Sequence, residues 1–227
     1  MKQRDPEDFK YLLEQFADIK IMAYPVPGFD KLTLNQKKLV YCLSQAALCG
    51  RDIIFDQNYK HNLRIRRTLE ALYRHYEGDR RDGEFKEFEI YLKRIWFSNG
   101  IHHHYSTDKF LPGFSPAFFA EMVRQSTPSQ LPLRRGESVT EFTREMTGII
   151  FDPDVDPKRV SLDSSLDLVT QSACNFYDGV SQVEAEGYYQ ALKKPGDKRP
   201  VSWGLNSRLV KKDGIVQEET YRIGGLY

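Results

Sequence analysis

Over the first two thirds of the chain, apolar positions recur at helical spacing. Phe9, Leu12, Leu13 and Phe16 predict an opening helix. Tyr24-Pro25-Val26-Pro27-Gly28 breaks it. Thr33 and Gln36 have the spacing of a capping box, in which each side chain satisfies an orphan amide at a helix start. The helix they open carries Leu39, Val40, Leu43, Ala46 and Ala47 on its apolar face, and Gly50 suits its end. A further helix over about 59–77 puts Leu63, Leu69, Leu72 and Tyr76 on one face and Arg64, Arg66 and Arg67 on the rest, with Gly78 closing it. The next, over about 84–98, buries Phe85, Phe88, Leu92 and Ile95, and Asn99-Gly100 stops it. Ser115-Pro116 starts another, because proline at the first helical position loses no needed hydrogen bond. Ser138 and Glu141 make a second capping box, opening a helix through Phe142, Met146 and Ile149.

The pattern changes after Phe151. The run Asp152-Pro153-Asp154-Val155-Asp156-Pro157 reads as a turn-rich connector. Its aspartates hint at calcium, but the glycine and closing glutamate of an EF-hand loop are missing. Residues 166–177 read as extended. Ser181 and Glu184 form a third capping box before a helix with Tyr188 and Leu192, which Pro195-Gly196-Asp197 ends. Residues 201–223 read as strands around a hairpin turn at Lys212-Asp213-Gly214. Helices first and strands late predict an α+β fold. A helical part (1–151) and a strand-rich part (152–227) are expected to form one structural unit. The apolar end at Leu226 and Tyr227 reads as a truncation of a longer protein.

Composition narrows the function classes. A chain of 227 residues with 40% hydrophobic positions can bury a sizeable core. The 33 basic residues nearly balance the 32 acidic ones, so charge gives no reason to expect nucleic acid or an anionic membrane as partner. No apolar run approaches the ~20 residues of a membrane span. The charged start lacks a signal peptide's apolar segment. Cys42, Cys49 and Cys174 show no paired short spacing, and the first two lie about two helical turns apart, too far for a disulfide. A reducing, cytoplasmic compartment is therefore expected. A periplasmic location would require a leader that has been removed.

The segment 96–110 holds three of the five histidines, His102, His103 and His104, in an aromatic-rich loop behind a helix stop. Three adjacent side chains on an extended loop diverge, whereas zinc ligands are spaced so that the backbone can wrap around the ion. A polar cleft lining fits better than a metal site. The bland alternatives are a helix cap for Asn99 and a surface histidine for His102. Elsewhere the arginines at 64, 66 and 67 read as a solvated or ion-paired face. No Gly-rich phosphate loop, nucleophile elbow or redox cysteine pair is present. Glu87 and Glu89 are two apart on a helix and face different ways, so paired-carboxylate chemistry is unsupported.

Longer stretches carry a resemblance. They are YLKRIWFSNGIHHHY at 91–105 with KFLPGF at 109–114, GRDIIFDQN at 50–58, NFYDGV at 175–180 with Tyr188, and GLNSRLVK at 204–211. Together they resemble the amino-terminal part of dipeptidyl peptidase III, in its Bacteroides-type bacterial branch, from about residue 16 to 227. The resemblance implies a two-lobed zinc exopeptidase that releases dipeptides from short peptides with a free amino end. This chain would be mostly lower lobe and would partner the remaining lobe. The family's His-Glu-x-x-Gly-His zinc motif is absent from this sequence. The resemblance therefore implies zinc held outside this chain, no catalytic or metal residue within it, and no hydrolysis by it alone. The loop after Ser98 would reach the substrate cleft, with Asn99, His103, His104 and Tyr105 binding substrate. The rival reading is a free-standing, non-catalytic peptide or small-ligand binding module.

Overall fold

In the computed structural model, residues 9–222 are described, and the chain divides after Arg51 into two units. In the first, β1 (Leu12–Phe16) and β2 (Ile19–Met22) form an antiparallel hairpin, with Phe16 opposite Ile19 and Leu12 opposite Met22. This corrects the helix expected there. The apolar set at 9, 12, 13 and 16 is too short to nucleate a helix by itself. Ile19 and Ile21 alternate across Lys20 as a strand requires, and Ala17 turns the chain at φ 46°. The helix α1 (Leu34–Cys49) follows. Thr33 caps it as expected, its hydroxyl accepting from Gln36 N–H while the Gln36 amide oxygen accepts from Thr33 N–H at 2.8 Å. None of its side chains is buried. Leu39, Val40 and Leu43, among its apolar positions, lie exposed.

The second unit carries the larger helical core and the later strands. The division falls within the first turn of α2 (Arg51–Asn58), a helix that the apolar spacing did not reveal, and α3 (Asn62–His75) and α4 (Gly83–Ser98) follow. The helix expected over 59–77 is thus shorter. Tyr59 belongs to the turn after α2, and Tyr76 leaves the helix with extended ψ to stack on Phe85 at 4.7 Å. Then come α5 (Pro116–Gln125), capped by Ser115, and α6 (Val139–Phe151), capped by the Ser138–Glu141 box. Their apolar faces close one core around Ile65, Leu69, Phe88, Leu92, Phe119 and Phe142, all fully buried. Each such side chain contributes roughly 1.5–3 kcal/mol by leaving water. The arginine cluster is an ion-paired face: Arg64 reaches Glu137 and Glu145, and Arg66 reaches Asp52 at 2.9 Å.

Past a long irregular segment lie β3 (Tyr177–Asp178), α7 (Gln182–Leu192), β4 (Ser207–Lys212) and β5 (Ile215–Thr220). The strand order is β3-β4-β5. The β4–β5 hairpin is antiparallel, and its turn residues Asp213 and Gly214 both take positive φ, as a type I′ turn requires. The β3–β4 pair is parallel, so a short third strand makes this a mixed sheet within the α+β fold. Residues 168–171 form a turn that interrupts the expected extended run. Asp167 Oδ1 accepts from Val169 and Thr170 N–H, and this local capture of amides competes with strand pairing. Among the described residues, no helix is long and apolar enough to cross a membrane.

Candidate functional site

The site is the hairpin of residues 101–110, which leaves the end of α4. Asn99 ends that helix in the left-handed region (φ 53°, ψ 44°), its N–H donating to Ile95 C=O. Two asparagines grip the exit. Asn58 Nδ2 donates to Asn99 C=O at 3.0 Å. Asn62, wholly buried, donates to Phe55 C=O at 3.1 Å and accepts from Ile101 N–H at 3.1 Å. Gly100 sits at φ 147° against Asn62, where a Cβ would meet Nδ2 at 2.0 Å, so only glycine fits.

Beyond this grip the backbone pairs with itself. Phe110 N–H donates to Ile101 C=O and His103 N–H to Asp108 C=O, each at 2.7 Å. The returning arm pairs outward as well, Lys109 N–H donating to Pro157 C=O at 3.0 Å and Arg159 N–H to Thr107 C=O at 2.8 Å. The ladder continues through Ala173 and Cys174 N–H, which donate to Lys158 and Arg159 C=O at 3.0 Å. Leu209 N–H then donates to Phe176 C=O at 2.8 Å. Backbone bonds thus run from the histidine hairpin into the sheet.

The three histidines have different fates. His102 is 2% exposed, which corrects the surface reading. Its Nε2 lies 2.8 Å from Asp156 C=O and its ring meets Tyr59 edge-on. Burial pushes its pKa down, partly opposed by the Asp156 bond. Tyr59 donates to Asp156 Oδ2 at 2.5 Å, and burial, then this carboxylate, pushes the phenol up. Burial also lowers Lys109, whose ammonium donates to the carbonyls of Asp152 (2.6 Å) and Val155 (2.7 Å). The Tyr59–Asp156 pair lines a cavity of about 470 Å³ together with Lys60, Ser172, Cys174 and Asn175.

His103 and His104 stack at 4.5 Å, His104 lies 4.3 Å from the Tyr105 ring, and Phe97 closes the row edge-on to His104 at 5.0 Å. His103 Nδ1 accepts from Tyr105 N–H (3.1 Å) and Ser106 N–H (3.0 Å). A neutral His103 ring therefore carries its proton on Nε2. Tyr105 stands 84% exposed. Of the four residues expected to bind substrate, the structure gathers His103, His104 and Tyr105 into one row. Asn99 contributes instead through its backbone, as a cap and as the acceptor of the asparagine grip. Asn58, Asn62 and Arg159 carry the site and were not found from sequence; the bonds that tie them to the hairpin or to one another span 37 to 101 positions, and no local pattern marks them.

Among the described residues, no group of three or more His, Cys, Asp or Glu side chains is placed to hold a metal ion. His102 commits Nε2 to Asp156 C=O, and His103 commits Nδ1 to the backbone N–H groups of its own loop. No protein-family model matches the chain, and no curated protein matches it.

Proposed function

We propose that this chain is the amino-terminal portion of a zinc-dependent dipeptidyl peptidase of the dipeptidyl peptidase III type, where it lines the peptide-binding cleft. The zinc and the hydrolytic groups belong to residues outside it. The observation that carries this reading is the row His103–His104–Tyr105, held on a hairpin whose base is locked by buried hydrogen bonds. Such a row suits an extended peptide. The His103 Nε2–H and the Tyr105 phenol can donate to peptide carbonyls, and the ring faces take up apolar side chains. The locked base means that little ordering entropy opposes binding.

The reading is tested in two steps. Tetraalanine titrated into the isolated chain should move the ring resonances of His103 and His104 without any release of dipeptide. In the full-length enzyme, replacing both histidines with Ala should raise KM about tenfold, the cost of roughly one hydrogen bond to a charged or tightly held group. Bound zinc should stay at its original stoichiometry. Loss of zinc on that replacement, or zinc-dependent dipeptide release by the isolated chain, would falsify the assignment. Peptide binding in a protein that proves to have no hydrolase activity would favour the free-standing module.

A further inference from the structure

Arg159 lacks the partner that its setting calls for. Three other partly buried arginines of this unit sit against carboxylates: Arg64 on Glu137 and Glu145, Arg66 on Asp52 and Glu70, Arg208 on Glu219. Arg159 is also partly buried, yet it pairs with no carboxylate among the described residues. Its Nη1 donates to Asn58 Oδ1 at 3.2 Å and its Nη2 to His104 C=O at 3.3 Å. Both acceptors are neutral and both bonds are long. Its Nε is out of solvent and meets no acceptor. A guanidinium carries five N–H donors, so most of its donor capacity is unspent. Holding such a cation away from water without a counter-charge is unfavourable, and a bound anion relieves it.

We propose that Arg159 is a carboxylate-binding residue. On the peptide reading above, on which this rests, its ligand is the free carboxyl end of a short peptide lying along the histidine row. Location supports this, since the guanidinium holds the carbonyl of His104, the middle residue of that row. Donor count supports a single small anion over a phosphate dianion. Lys158 is committed to Asp108, and the Lys109 ammonium spends donors on two backbone carbonyls, so Arg159 is the one of these three cations with donors left to spend. Shape agrees as well, because the planar fork of a guanidinium matches the two oxygens of a carboxylate.

The experiment compares tetraalanine with its carboxyl-terminal amide on the chain labelled with ¹⁵N-arginine. The acid should shift the Arg159 Nε–H resonance and bind about tenfold more tightly than the amide, as a charged hydrogen-bonded contact predicts. Arg159→Gln should erase the preference. Arg159→Lys, which keeps the charge and loses the fork, should retain part of it. Equal affinity for acid and amide, with the histidine resonances moving and Arg159 still, overturns the carboxylate assignment and leaves the peptide reading intact. Propionate shifting Arg159 while neither peptide binds keeps the carboxylate site and overturns the peptide reading. If Arg159→Gln melts early, the acid–amide comparison on the unaltered chain and on Arg159→Lys still decides.

Discussion

Helices α1 and α4 are both 16 residues long, and both open on a side-chain cap, Thr33 for one and Asp82 for the other. Yet α4 buries Phe85, Phe88, Tyr91, Leu92, Ile95 and Ser98, while α1 buries nothing. Caps and apolar content are enough to make a helix, and they do not say whether it will be packed. The difference lies in what surrounds each one. Around α4 stand Tyr73, Tyr76, Phe114 and Phe119, several of them in edge-on or stacked ring contacts with its aromatics. The tightly packed helix is also the one that ends in the candidate site. Its last turn fixes Asn99, and through Asn99 the start of the histidine hairpin.

Truncating one large side chain on each helix gives the sharpest contrast, and Phe88 has the larger effect. It is fully buried, so Phe88→Ala should cost about 3–5 kcal/mol in urea unfolding, the usual penalty for a phenyl-sized cavity. A loss under 1 kcal/mol would mean that the core around α4 is far looser than its burial suggests.

A second, intermediate effect comes from pH. Just beyond α4, burial holds His102 below the ordinary imidazole value of 6.5, and burial does the same to His61. As pH falls through 6.5, the unfolded chain takes up these protons before the folded one does. Stability is therefore complete above that pH and declines below it. The urea midpoint should drop between pH 7 and pH 5. In His102→Gln, whose amide can still donate to Asp156 C=O, the drop should be smaller. An unchanged slope in that variant would remove His102 as its source.

The smallest effect is expected on α1. Leu39 is 58% exposed, so Leu39→Ser should change stability by no more than about 0.5 kcal/mol. A loss above 2 kcal/mol would show that this face is covered in solution, and the contrast between the two helices would collapse.

Local signals in the sequence were reliable where the chemistry itself is local. The boxes at Thr33, Ser138 and Ser181, the Ser115-Pro116 start and the Asp213-Gly214 turn all place their elements correctly. The misreadings fall on short apolar runs. Residues 9–16 satisfy helical and strand spacing alike, and cross-strand pairing with Ile19 and Ile21 decides between them. Residues 166–176 have strand-like content, and Asp167 captures the amides that a strand would have used. In the candidate site, the histidine row could be read because its members are adjacent. The grip of Asn58 and Asn62 and the position of Arg159 could not, because each depends on a fold that brings distant segments together.

The ladder that ties the hairpin to the sheet has one more consequence. Residues 161–172 leave it and return with their ends joined, Ser161 N–H donating to Ser172 Oγ at 2.9 Å, while Leu162 stands 89% exposed. A loop whose two feet are already stitched can grow cheaply, at roughly 0.6 kcal/mol for each doubling of its length. This makes the loop a natural doorway for inserted sequence. A fluorescent reporter or a whole folded module could be spliced in at its tip, a few residues from Arg159, without unpicking the stitches that hold the histidine row in place.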